Sequence, residues 1–111
     1  VNLDATTKSL EVLLGGTVTT NQLVLASSYV DVDATFAIVG AGENDLLTNN
    51  ATAVTFVAAP TTGRTRKISF LSVYNNDTVP ATVTVRINNN GTFRIVCKVT
   101  LAVGDTLFYG G

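Results

Sequence analysis

Residues 80–100 read PATVTVRINNNGTFRIVCKVT, two runs of alternating apolar and polar residues joined by three asparagines and a glycine. Alternation with a period of two is the mark of a half-buried strand, and Asn-Gly clusters mark turns. Val83, Val85 and Ile87 share one face of the first run; Phe93, Ile95, Cys97 and Val99 share one face of the second. A two-residue loop at Asn90–Gly91 sets Ile87 against Arg94 and splits these sets. A three-residue loop, Asn89–Asn90–Gly91, sets Ile87 beside Phe93, Val85 beside Ile95 and Val83 beside Cys97. Since a slip of one residue moves a whole face to solvent, the three-residue loop is expected, with Gly91 in the left-handed conformation. The outer face then carries Thr82, Thr84 and Arg86 opposite Thr92, Arg94, Val96 and Lys98.

Working outward from this hairpin, strands are expected at 9–14 (SLEVLL), at 52–58 (TAVTFVA), at 64–75 (RTRKISFLSVYN) and at 105–109 (DTLFY), with one or two strands over 21–39 bent near Ala26–Ser28. Within 64–75, Ile68, Phe70 and Tyr74 are expected on one face and Leu71 and Val73 on the other, and apolar residues on both faces point to a central strand or one that borders a subunit interface. GAGENDLLTNN (40–50), with two glycines, an acidic pair and no sustained period, reads as a loop. Composition agrees with strands: the 18 Thr and 16 Val suit a pleated sheet, and the 10 Asn suit its turns. A chain of 111 residues is long enough for one core. The expectation is an all-β protein: a single antiparallel β-sandwich, jelly-roll-like, over residues 9–111. Residues 1–8 (VNLDATTK) have no place in the alternating pattern and are read as an extended N-terminal arm.

The chemistry available is sparse. There is no histidine, so the commonest general base and metal ligand is missing, and Cys97 has no partner for a disulfide or a catalytic pair. Cys97 is read as a buried thiol, which fits a chain made in a reducing cytosol. GAGEN (40–44) is followed by neither a helix-forming segment nor a GK[ST] sequence, so it carries little weight as a phosphate loop. Asp31 and Asp33, joined by Glu43 and Asp45, form a minor candidate for Ca²⁺; a charged strand edge is the plainer reading. Asn50-Ala-Thr52, Asn76-Asp-Thr78 and Asn90-Gly-Thr92 match glycosylation acceptors, as chance allows in a chain so rich in Asn and Thr. A net charge of −1 gives no field that would draw in nucleic acid or an anionic membrane, and no apolar run is long enough to span one. Arg64, Arg66 and Lys67 form one small basic cluster that suits an acidic protein surface. Mean hydropathy is +0.36, and the apolar groups on both faces of several strands suggest surface hidden in an oligomer or against a larger scaffold. No enzyme and no cofactor are expected.

The stretch 52–109, from TAVTFVAAP through SVYNND and the TVTVR–NNG–TFRI hairpin to GDTLFY, resembles small structural proteins of tailed bacteriophages, with a looser echo in TTKSLEVLLGG (6–16). Relatives of that kind often continue past the final strand. The resemblance implies a virion component that works by binding, most simply a capsid decoration protein. Such proteins commonly sit as trimers on the outer shell, where an arm or strand edge engages the major capsid protein. Val1, Asn2, Leu3, Asp4 and Lys8 are then the expected capsid-contacting arm, and Arg64, Arg66 and Lys67 an electrostatic contact. A tail, baseplate or fibre module, receptor-binding through loop 40–50, is the alternative.

Overall fold

A computed structural model describes residues 1–110; Gly111, the last residue of the expected 9–111 domain, lies outside the described residues. The chain forms nine strands: β1 (Asn2–Leu3), β2 (Lys8–Leu14), β3 (Val24–Val32), β4 (Ile38–Leu47), β5 (Val54–Val57), β6 (Thr65–Tyr74), β7 (Ala81–Asn89), β8 (Thr92–Leu101) and β9 (Thr106–Gly110). They make two antiparallel sheets. In the first, β4 pairs with β3, β3 with β6, and β6 with β1 at one end and β9 at the other. The second runs β5-β2-β7-β8. The β-sandwich expected from the alternation is therefore present. Only β3–β4 and β7–β8 are hairpins within one sheet; the other connections cross between sheets, so no strand pair outside those hairpins forms from local sequence.

Between the sheets lies one core. Leu10, Val12 and Leu14 of β2 and Val83 and Val85 of β7 face Leu25 of β3 and Ile68, Leu71 and Val73 of β6, all buried, with Phe56 and Val57 of β5 closing one side. Burying side chains of this size contributes about 1.5–3 kcal/mol each, and that burial offsets the entropy of ordering the chain.

Four expectations are corrected. First, the expected arm is not free. Asn2 and Leu3 pair with Lys67 and Arg66, Val1 O accepts the Ile68 N–H at 3.1 Å, and Leu3 is completely buried. A single leucine among polar neighbours gives no periodicity, so its place in the core could not be read from alternation.

Second, the expected loop 40–50 is largely β4. Its inward positions are Gly40, Gly42, Asn44 and Leu46, while Ala41, Glu43, Asp45 and Leu47 face solvent. The glycines are there for room: a Cβ on Gly42 would overlap the Tyr29 phenol, and one on Gly40 would press on Arg64 and Asp31. Small residues at inward sites erase the hydrophobic alternation without preventing the strand.

Third, the β7–β8 turn is the two-residue one, Asn90–Gly91, with φ of 53° and 91°, and Asn89 stays in the ladder opposite Thr92. Both central residues have positive φ, the arrangement whose twist matches antiparallel strands. Ile87 does lie opposite Arg94, Asn88 opposite Phe93 and Arg86 opposite Ile95. Val96 is then an extra residue, a β-bulge, after which Cys97 meets Val85 and Val99 meets Val83. The bulge reconciles a two-residue turn with an inward Cys97 and Val99, leaving Phe93 (47% exposed) and Ile95 (64%) outside.

Fourth, β6 does the same thing. Ser28 pairs with Phe70 but Tyr29 with Ile68, so Ser69 is skipped and Ile68 joins Leu71 and Val73 in the core, away from Phe70 and Tyr74.

Candidate functional site

The basic cluster divides on folding. Arg66 points inward and makes a two-pronged ion pair with Asp31, Nε to Oδ1 at 2.9 Å and Nη2 to Oδ2 at 3.0 Å, while Nη1 donates to Ala58 O at 2.9 Å. Its guanidinium lies 4.0 Å from the Tyr29 ring centre, and the phenol end of that ring lies against Gly42. Hydrogen bonding from Arg66 holds the Asp31 carboxyl below its usual range, against the effect of burial, and Asp31 raises the Arg66 pKa in turn. Arg66 thus spends its donors inside the fold, on Asp31 and Ala58, at one end of the core. Arg64, 3.9 Å from Asp31, keeps a side chain 41% exposed, and Lys67 is exposed.

Fold topology brings part of the two expected contact sets together, while Leu3 lies in the core and Val1 lines the β8–β9 cleft beside Tyr109. Asn2 stands opposite Lys67 in the β1–β6 ladder, and Asp4, Asp33 and Arg64 line one shallow hollow of about 500 Å³ with Thr61, Thr62 and Thr65. Lys8 reaches back to Asp4 at 2.7 Å and lowers its pKa, chiefly through that hydrogen bond. Asp33 spends its Oδ1 on the Thr35 hydroxyl and on the N–H groups of Thr35 and Ala37, which shape the β3–β4 turn and lower its pKa. The structure therefore separates the four carboxylates weighed for Ca²⁺: Asp31 faces Arg66, Asp33 caps a turn, and Glu43 and Asp45 stand on the outer face of β4. Among the described residues no group of three or more His, Cys, Asp or Glu side chains is placed to hold a metal.

At the opposite end is a polar cluster that the sequence did not announce. Asp77, buried, accepts the backbone N–H groups of Thr19, Thr20, Asn21 and Thr78 at 2.8–3.1 Å, tying the β2–β3 crossing to the β6–β7 loop. The Thr19 bond leads the causes that bring its pKa down to about 2. Asn75, fully buried, donates to Val79 O, Leu101 O and Ala102 O and accepts the Asp77 N–H. Asn50 and Gln22 bond each other and, with Thr48, fix the entry into β3. No nucleophile–base pair is assembled here; these side chains replace backbone partners that loops lack. A polar residue in a loop looks the same in sequence whether it is solvated or buried, so alternation could not single these side chains out.

A third surface lies between the sheets on the β8–β9 side. Val96 and Cys97 of β8 and Leu107, Phe108 and Tyr109 of β9 line an apolar cleft of about 270 Å³. Phe108 is 64% exposed, packing obliquely on Phe70 with ring centres 5.7 Å apart. Cys97 sits half-buried in that cleft.

No protein-family model matches the chain, and no curated protein or solved structure is similar to it. No helix among the described residues is long and apolar enough to cross a membrane.

Proposed function

We propose that this domain is a non-enzymatic structural component of a bacteriophage virion, a decoration protein that binds the outer shell as a homotrimer and stabilises it. The observation that carries this reading is how its side chains are spent. The charged and amide groups best placed for chemistry, Asp31, Arg66, Asn75 and Asp77, are used up inside the fold, whereas large apolar groups such as Phe93, Ile95 and Phe108 are left on the surface. A protein arranged in this way acts through surfaces. Bound copies that span joints between shell subunits favour the assembled shell by mass action. The mixed polar end carrying Asn2, Asp4, Arg64 and Lys67 suits the contact with the major capsid protein, and the resemblance of residues 52–109 to small structural proteins of tailed bacteriophages gives the reading its context. The domain is made in the bacterial cytoplasm and ends on the capsid surface.

The test is the ratio of this protein to the major capsid protein in purified particles of the phage that encodes it. A fixed ratio close to that of the shell subunits is the expected result; a few copies per particle would move it to the tail or baseplate, and absence from particles would overturn the reading. The contact surface is mapped with Asn2→Asp, Asp4→Lys, Arg64→Gln and Lys67→Glu, all at exposed positions. Each is expected to lower occupancy on shells.

A further inference from the structure

The geometry points to an interface between copies of this chain in which the free edge of β8 on one copy pairs with the free edge of β4 on the next. The two sheets leave two long lateral edges. On one side β4 ends the first sheet, with β5 approaching it across the gap. On the other side β8 ends the second sheet, with β9 across the cleft. Both β4 and β8 are ten residues long. An edge of that length with apolar groups exposed is a ready template for another strand.

The exposed apolar groups gather at these two edges. Phe36, Ile38, Val39 and Leu47 lie on β4 or the turn that feeds it. Phe93, Ile95, Val96 and Phe108 lie on β8 and β9. Only three other large apolar residues are exposed among the described residues: Tyr74, Val79 and Val103.

Charge then decides which edge meets which. The charged residues of β4 are Glu43 and Asp45, both exposed, and those of β8 are Arg94 and Lys98, both exposed. Among the described residues none of the four takes part in an ion pair. Pairing β4 with β4 sets carboxylate against carboxylate, and β8 with β8 sets cation against cation; like charges on facing strands are destabilising. Pairing β4 with β8 sets Lys98, on the outer face opposite Thr84 in the β7–β8 ladder, against the outer-face carboxylates Glu43 and Asp45, while Arg94, opposite Ile87, lies on the other face beyond the bulge. Because each copy carries both halves, the occupant is a second copy of this chain, and the contact is heterologous: each copy offers one edge and accepts the other, closing into a ring where the rotation allows. The pairing rests on the edges alone and not on a place in a virion, so either reading can fail without the other.

Sedimentation velocity on the 111-residue chain tests it. The unsubstituted chain is expected to assemble at micromolar concentration. Glu43→Lys with Asp45→Lys, and separately Arg94→Glu with Lys98→Glu, are expected to weaken assembly tenfold or more. The four substitutions combined restore opposite charge across the same contact and are expected to recover it. Circular dichroism confirms that each variant is folded. Hydrogen exchange on the unsubstituted chain adds a reading free of substitutions, with protection that rises with concentration over both 38–47 and 92–101. A chain monomeric at high concentration, double variants that assemble like the original, a combined variant that stays apart, or protection at only one edge would each overturn the pairing.

Discussion

Asp77 accepts four backbone N–H groups from two separate loops, and protonating it removes the charge that holds them. Its folded pKa, about 2, lies below the ordinary 3.8. Its contribution to stability is therefore complete above the unfolded value and is lost as pH falls from about 3.8 through about 2. Urea midpoints measured between pH 2 and 5 are expected to fall towards acid in the original chain and to lose part of that slope in Asp77→Asn, which is also less stable at neutral pH. An unchanged slope would mean that the acid limb belongs to other carboxylates. Asp31 and Arg66 make a different case, because each is the other's charge partner at the rim of the core. Asp31→Ala leaves a guanidinium unpaired and is expected to cost about 3 kcal/mol by chemical denaturation. Asp31→Leu combined with Arg66→Met removes both charges and is expected to recover most of that loss.

At the scale of elements, the turn and the first strand carry the weight. Gly91 has a φ of 91° with nothing within 4 Å of where a Cβ would stand, so Gly91→Ala meets no neighbour and only backbone strain. A loss of about 1 kcal/mol is expected, read as a lower melting temperature. No loss would mean that the turn relaxes to another form. Leu3 is in the core through a strand of two residues, so Leu3→Ala is expected to cost about 2–5 kcal/mol. Deleting residues 1–8 would therefore confound loss of a contact with loss of the fold. The bulges at Ser69 and at Val96 show why register was legible only in part. Alternation assigns faces within a regular run, but one skipped residue restarts the count, and no residue type announces the skip.

For the whole molecule, assembly through complementary edges makes stability depend on concentration. Anything that binds the folded state and not the unfolded one stabilises it by mass action. The melting temperature is therefore expected to rise with protein concentration in the original chain and to stay flat in the Glu43→Lys, Asp45→Lys variant; a flat response in both would count against assembly. The candidate surfaces were legible only in fragments. Lys67 and Arg64 were visible as charge, and Asn2 and Asp4 as an odd segment, yet their meeting at one end depends on β1 pairing with β6 across more than sixty residues of chain.

By itself the sequence determined that this chain is a β-sandwich. Thr- and Val-rich alternation and Asn-Gly turns are local properties, set by how each residue suits a pleated strand or a positive φ. It also determined the scarcity of catalytic chemistry, which is a matter of inventory. Only the tertiary structure decided that Arg66 and Asp31 face inward, that Leu3 belongs to the core, that Gly40–Leu47 is an edge strand, and that Phe93 and Ile95 are outside. Each of these depends on a partner distant in the chain, and burial, ion pairing and register are properties of the pair rather than of either residue.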